Sequence, residues 1–171
     1  VHSLAKWKRE ALGKYEFPIY TGLYTDMKAI RKDEEVDEVH SLYVEQWDWE
    51  KVILKSDRTI DYLKQTVTDI YKSLTQTIKA MKRKYDFLSI DLPKDITFIT
   101  SQELEDLYPD KTPKEREELI TKEKQAVFII GIGDKLKSGV SHDLRSPDYD
   151  DWSMDGDLLV YDETIGRAIE L

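Results

Sequence analysis

Three groups of residues in this sequence have types and spacings that can do chemistry. Asp157 and Glu170 are hard oxygen donors of the kind that hold Mg²⁺ together with substrate phosphates. Taken alone, two acids a dozen residues apart read more simply as surface carboxylates. In "HDLRSPDYDDW", Arg145 lies among Asp143, Asp148, Asp150 and Asp151. Local ion pairs on a surface loop account for it, but Tyr149 and Trp152 beside it point to a partly buried setting, where acids need partners. The third group is Arg31, at the end of "YTDMKAIR", and the run "YVEQWDWEKV" from Tyr43 to Val52. If this run is a strand, Gln46, Asp48 and Glu50 share one face and Glu45, Trp47 and Trp49 the other. By patterning alone, Arg31 and these acids read as a solvated cross-strand pair worth about a few tenths of a kcal/mol.

Several chemistries are excluded. "GIGDKLKSG" has glycines without the G-x-x-x-x-G-K-[ST] spacing of a phosphate loop. The chain has no cysteine, so disulfides and thiolate chemistry have no donors, and His2, His40 and His142 are too far apart in sequence for a zinc site to be expected. No G-x-S-x-G elbow presents a nucleophile. The net charge of −9 argues against a protein whose affinity comes from neutralising phosphate backbones, so no nucleic-acid partner is expected. No run of about 20 apolar residues can span a bilayer, and neither end reads as a signal peptide. A cytoplasmic protein, with no membrane association, is the expectation.

These residues must be held by a definable set of elements. "HSLAKWKREALGKY" reads as a short helix through Leu4, Trp7 and Leu12. "GLYTDMKAIRK" and "VHSLYVEQWDWEKVIL" read as two strands around the charged loop "KDEEVDE". From Asp57 to about Phe87, Ile60, Leu63, Val67, Ile70, Leu74, Ile78 and Met81 recur at steps of three and four, which predicts a long helix capped by Ser56 or Asp57. "DITFIT" is a strand that hands over at Thr100 to a helix with the spacing T-x-x-E. "TPKEREELITKEK" repeats that device, with Thr112 as cap and Pro113 at the first helical position. "AVFIIGIG" has the pattern of a strand buried on both faces, and "GDLLVYDE" reads as a last strand before "IGRAIEL". With 171 residues and this mixed order, the chain is expected to be one α+β domain with a largely antiparallel β-sheet flanked by helices.

The segments "VHSLAKWKRE", "GLYTDMKAIRKDEE", "LYVEQWDWEKV", "SQELEDLYPD", "AVFIIGIGDKL", "HDLRSPDYDDWS" and "GDLLVYDE" resemble, in this order, the central part of the aspartate-ammonia ligase family, the ammonia-using asparagine synthetases. The resemblance implies the class II aminoacyl-tRNA synthetase-like catalytic fold. It also implies a homodimer and a reaction in which ATP and L-aspartate form β-aspartyl-AMP, which ammonia converts to asparagine and AMP. Arg31, Asp33, the loop "EEVDE" and the strand through Gln46 and Asp48 then match motif 2. That makes Arg31 the α-phosphate clamp, bidentate where lysine is not.

The other roles follow from the same resemblance. Gln46, Asp48 and Asp150 match positions around the amino acid, where acids suit its α-ammonium. Lys8 suits the substrate's side-chain carboxylate, with Ser3 and Ala5 lining the same pocket. Lys8, Arg31 and Asp48 are the expected catalytic set. Arg145 matches a position near the nucleotide, and Asp157 and Glu170 match positions that bind Mg²⁺ and orient ATP. Trp47 and Trp49 would anchor the strand from behind. Against the family pattern, the portion carrying motif 1 and the glycine-rich motif 3 are absent, and Ser153 and Met154 are closer than expected, as if a loop were missing. Residues 1–171 are therefore expected to be one incomplete catalytic domain. The rivals are the core of an aspartyl- or asparaginyl-tRNA synthetase, and a synthetase-like sensor that binds amino acid and nucleotide without turnover. The chemically competent types kept at Lys8, Arg31, Gln46, Asp48, Asp150, Asp157 and Glu170 favour a working enzyme.

Overall fold

A computed structural model describes residues 4–32, 34–37, 39–145 and 150–171. Ser3, Asp33, Asp148 and Tyr149, which the sequence reading used, lie outside the described residues. The chain divides into two compact units, 1–58 and 59–171.

The first unit is a helix, α1 (Ala5–Lys14), and two strands, β1 (Gly22–Ile30) and β2 (Tyr43–Lys51). The strands pair antiparallel, with Thr25 opposite Asp48 and Met27 opposite Gln46. Period-2 alternation therefore puts Leu23, Thr25, Met27 and Ala29 on one face with Val44, Gln46, Asp48 and Glu50. That face carries the buried Met27 and Ala29, and α1 supplies the buried Ala11 and Leu12. The opposite face does not do what was expected of it: Trp47 is 81% exposed and Trp49 47%. The tryptophans do not back the strand with packed side chains, because α1 reaches β2 on the other side, where Lys8 meets Asp48.

The second unit begins with α2 (Ile60–Lys84), followed by β3 (Thr97–Thr100), α3 (Ser101–Leu107), α4 (Pro113–Lys124), β4 (Ala126–Ile130), β5 (Gly156–Asp162) and β6 (Arg167–Glu170). The cap of α2 is Thr59, whose hydroxyl accepts from the Tyr62 N–H, and not Ser56 or Asp57. Residues 55–57 instead form a turn of 3-10 helix, so the long helix starts after them. The two T-x-x-E boxes form as read: Thr100 and Glu103 open α3, Thr112 and Glu115 open α4, and each pair satisfies amides with no partner inside its helix.

The sheet of this unit runs β3-β4-β5-β6, with β3 parallel to β4 and the other pairs antiparallel. The class is α+β as expected, but the sheet is mixed, and "GDLLVYDE" is not the last strand. It folds back through Gly166, in the left-handed region at φ 69, into β6. All five residues of β4 are buried. Phe128, Ile130 and Leu158 pack with Val67 and Tyr71 of α2, whereas Val127, Ile129 and Leu159 pack with Leu104 of α3 and Ile120 of α4, so helices cover both faces. Arg116 of α4 joins α3 to α4 by donating to the carbonyls of Tyr108 and Pro109, which end α3. Among the described residues, no helix is long and apolar enough to cross a membrane.

Candidate active-site clusters

In the first unit the expected residues gather on one face of β1 and β2. Lys8 is brought there by α1; its ammonium has no exposed surface and is ion-paired with the Asp48 carboxylate. A buried lysine needs such a partner, because an isolated charge in a low dielectric costs several kcal/mol on the order of the desolvation of an ion. Lys8 Nζ makes no well-oriented hydrogen bond to any described residue, so its N–H donors are held in place with capacity to spare. The next residue, Arg9, lies 3.6 Å from Glu50, the last acid of the row.

Arg31 follows β1 directly, two residues beyond Ala29 and so on the same face. Its backbone N–H donates to the Leu42 carbonyl and closes the loop. The Arg31 guanidinium donates to Gln46 Oε1 at 3.4 Å and has Glu34 at 3.7 Å. The structure thus brings Lys8, Arg31, Gln46 and Asp48 together in two linked pairs on one surface. Ala5 lies in the first turn of α1, three residues before Lys8.

In the second unit a loop, an edge and a helix end converge. After β4 the chain turns at Gly131, whose φ is 75, and forms a small hairpin in which the Leu136 N–H bonds the Val140 carbonyl. Lys137 bridges to Asp106 at 2.7 Å and the Ser138 hydroxyl to Glu105 at 2.6 Å, which pins that hairpin on α3. The returning segment is fixed by the Asp143 N–H on the Ile132 carbonyl, and this leads to Arg145. Arg145 Nε lies 3.1 Å from both Asp150 and Asp155, and its Nη1 3.5 Å from Asp143. Burial works against the Arg145 charge, and Asp150, Asp157, Asp155 and Asp143 outweigh it. Gly133 makes this arrangement possible: a Cβ there would stand 2.8 Å from Arg145 Cγ and 3.0 Å from the Trp152 ring.

Asp157 and Glu170 do meet. Glu170 lies opposite Leu159, and Asp157 is two residues before Leu159 on β5, so the two carboxylates are diagonal neighbours on one face. Burial pushes the Asp157 carboxyl up to about 7, with Glu170 adding to the rise and Arg145 opposing it. The pair lies on the face covered by α4, which adds Lys114 and Glu117, while His142 comes from the loop after β4; sequence reasoning assigned none of the three a site role. Glu117 is buried; its Oε2 lies 2.8 Å from Lys114 Nζ and its Oε1 3.0 Å from Nε2 of His142. Burial would raise the Glu117 carboxyl, but the His142 and Lys114 hydrogen bonds hold it below the usual range. The available signal was Glu117 falling three residues before Ile120, on the face of α4 that turns inward. His142 gave none, because its partner is 25 residues away.

The model of the aspartate-ammonia ligase family (AsnA) matches residues 1–171. The chain is 60% identical over 171 residues to an aspartate-ammonia ligase of Clostridium perfringens (strain SM101 / Type A), covering all of this chain and 51% of that protein. It is 57% identical over 172 residues to one of Lactobacillus johnsonii, covering 51% of it. To one of Bacillus cytotoxicus it is 56% identical over 171 residues, covering 52%. The chain spans about half the length of the curated relatives it matches.

Proposed function

Because this chain belongs to the aspartate-ammonia ligase family, we propose that the full-length protein makes L-asparagine from L-aspartate and ammonia at the expense of ATP. The observation that carries the reading at the level of the site is Lys8, a fully buried ammonium with donors to spare, set beside Asp48 and two strand positions from the Arg31–Gln46 pair. Such a surface suits a small zwitterion with a second carboxylate. Lys8 takes the substrate's side-chain carboxylate, and Asp48 and Gln46 receive its α-ammonium through charge-assisted hydrogen bonds, with Ala5 beside them; the family resemblance assigns Ser3 and Asp150 to the amino acid as well.

In the first step a side-chain carboxylate oxygen of aspartate attacks the α-phosphorus of ATP and pyrophosphate leaves. In the second, ammonia attacks the acyl carbon of β-aspartyl-AMP, a proton is lost, and AMP departs. Joining two anions requires cations at the point of attack, and Arg31 holds the α-phosphate with its planar fork. Arg145 lies by the nucleotide. Asp157 and Glu170 fit a divalent ion: they are hard oxygen donors on one face, and the Glu170 charge adds to the rise that burial gives the Asp157 carboxyl. Among the described residues no three donors gather closely enough to hold a metal alone, so Mg²⁺ would share these two carboxylates with water and substrate phosphates. Bound there, Mg²⁺ supplies charge neutralisation at the phosphates.

The same reading takes residues 1–171 as part of one catalytic domain of class II synthetase-like fold, in a cytoplasmic homodimer. Support for these comes from the motif order and from the family. The deciding experiment incubates full-length protein with ATP, Mg²⁺, aspartate and either ammonium or tRNA, and follows AMP and asparagine. Ammonium-dependent asparagine is expected. AMP released only when tRNA is added indicates a tRNA synthetase, and binding without AMP indicates a sensor.

A further inference from the structure

The segment that leads from β4 to Arg145 is fastened to helix α4 at a buried point. The His142 side chain, three residues before Arg145, has no exposed surface, and its Nε2 lies 3.0 Å from Glu117 Oε1. Lys114 holds the other oxygen of that carboxylate at 2.8 Å. Burial would raise the Glu117 carboxyl, but these two hydrogen bonds hold it below the usual range, so it is ionised. An ionised carboxylate only accepts, so Nε2 of His142 carries a proton and donates it to the bond. His142 Nδ1 has no hydrogen-bond partner among the described residues, which leaves Glu117 as the polar contact that directs the ring. The next residue, Asp143, donates its N–H to the Ile132 carbonyl, and its carboxylate lies 3.5 Å from Arg145 Nη1.

We propose that Glu117 is a positioning residue for nucleotide binding: through His142 it fixes residues 142–145 against α4 and so sets where the Arg145 guanidinium is presented. The inference rests on the reading that Arg145 lies by the nucleotide. Glu117 and His142 are both buried, so their part is to hold and not to bind. The Arg145 side chain is 31% exposed and is the member of this series that can meet a ligand. A buried ionised group adds little net stability, because its desolvation cancels much of the attraction it gains, but it holds its partners in one arrangement. The other anchor of the loop, Ser138 on Glu105 at 2.6 Å, comes seven residues before Arg145. His142 and Asp143 are fastened after it, so movement at Ser138 stops short of Arg145.

The test is steady-state kinetics of the full-length protein with ATP and aspartate varied in turn, beside equilibrium unfolding of each variant. Glu117→Leu should raise the KM for ATP about tenfold and leave the KM for aspartate within about twofold, since a small misplacement of a binding group is enough for such a loss. Glu117→Gln keeps an oxygen that accepts from His142 and should stay close to wild type. A lower unfolding midpoint for Glu117→Leu with both KM values unchanged would show a role in stability alone and overturn the proposal. If Glu117→Leu does not fold, His142→Phe, which keeps a ring and loses the donor, decides by the same split. Ser138→Ala cuts the more distant anchor and should leave both KM values near wild type; an ATP effect equal to that of Glu117→Leu would overturn the assignment to Glu117. Arg145→Met separates the two readings. If it raises the KM for ATP and Glu117→Leu does not, this inference fails and the reading of Arg145 stands. If it leaves the KM for ATP unchanged, the reading of Arg145 fails and takes the inference with it.

Discussion

Lys8 and Asp48 form an ion pair between helix α1 and strand β2, and the lysine side of it has no exposed surface. The pair ties the middle of the helix to the strand, and it leaves a buried ammonium with no hydrogen-bond partner among the described residues. Lys8→Ala in the full-length protein should raise the KM for aspartate or lower kcat, with ATP affinity close to wild type. Steady-state kinetics with each substrate varied in turn, together with a direct nucleotide-binding titration, measures the split. A collapse of ATP affinity with aspartate binding intact would reverse the assignment of Lys8.

Arg31 is held by Gln46 and Glu34 at the exit of β1, on the face that also carries Asp48. Arg31→Ala should slow adenylate formation by at least about 100-fold, the scale on which a preorganised electrostatic group acts. Arg31→Lys should recover little, because an ammonium does not reproduce two parallel N–H donors. Aspartate-dependent exchange of pyrophosphate into ATP isolates this step from the attack of ammonia, and near-normal exchange in Arg31→Ala would refute the clamp.

Tyr71 gives a pH dependence with a defined sign. Burial, with Asp95 adding, pushes its phenol from 10 up to about 12, and its hydroxyl donates to the Pro93 carbonyl at 2.6 Å. A group that ionises later in the folded chain than in the unfolded one contributes stability that is whole below pH 10 and lost as pH rises through 12. Tyr71→Phe should cost about 1 kcal/mol at pH 8 through the lost hydrogen bond. From pH 10 upward its urea midpoint should fall less steeply than that of wild type.

Two glycines should respond to alanine with opposite signs. A Cβ at Gly156 would stand 2.1 Å from the Ile129 carbonyl oxygen and 2.8 Å from the Phe128 ring, so Gly156→Ala should destabilise by about 1–3 kcal/mol. Gly13, inside α1, has nothing within 4 Å of its Cβ position. There alanine should stabilise by about 0.5–1 kcal/mol, since it restricts the unfolded chain and favours the helix. Equilibrium unfolding in urea compares the two.

The parts of this architecture that were legible in the sequence are those set by local rules. Both T-x-x-E caps, the alternation of β2 and the buried run of β4 formed as read because each depends on residues within a few positions. The start of α2 was misplaced because "SDRT" offers three residues able to cap, and only the turn at 55–57 decides for Thr59. Strand β6 went unread because its four residues carry no alternation strong enough to announce it. Glu117 and His142 could not be paired from sequence at all, since burial of an acid beside an imidazole is a tertiary fact. The exposed Trp47 failed in the opposite direction, as a residue type that implies packing but does not itself say where its neighbours are.

The mixed pairing of the second sheet also sets the order in which that unit can assemble. Thr97 pairs with Val127, and Ala126 with Val160, so strand β4 meets each neighbour about thirty residues away along the chain, and the entropy of closing both loops must be met before its core contacts form. The β1–β2 hairpin closes over a much shorter loop. Folding of residues 59–171 should therefore be the slow, nucleation-limited event, and substitutions in β4 should slow refolding more than they speed unfolding.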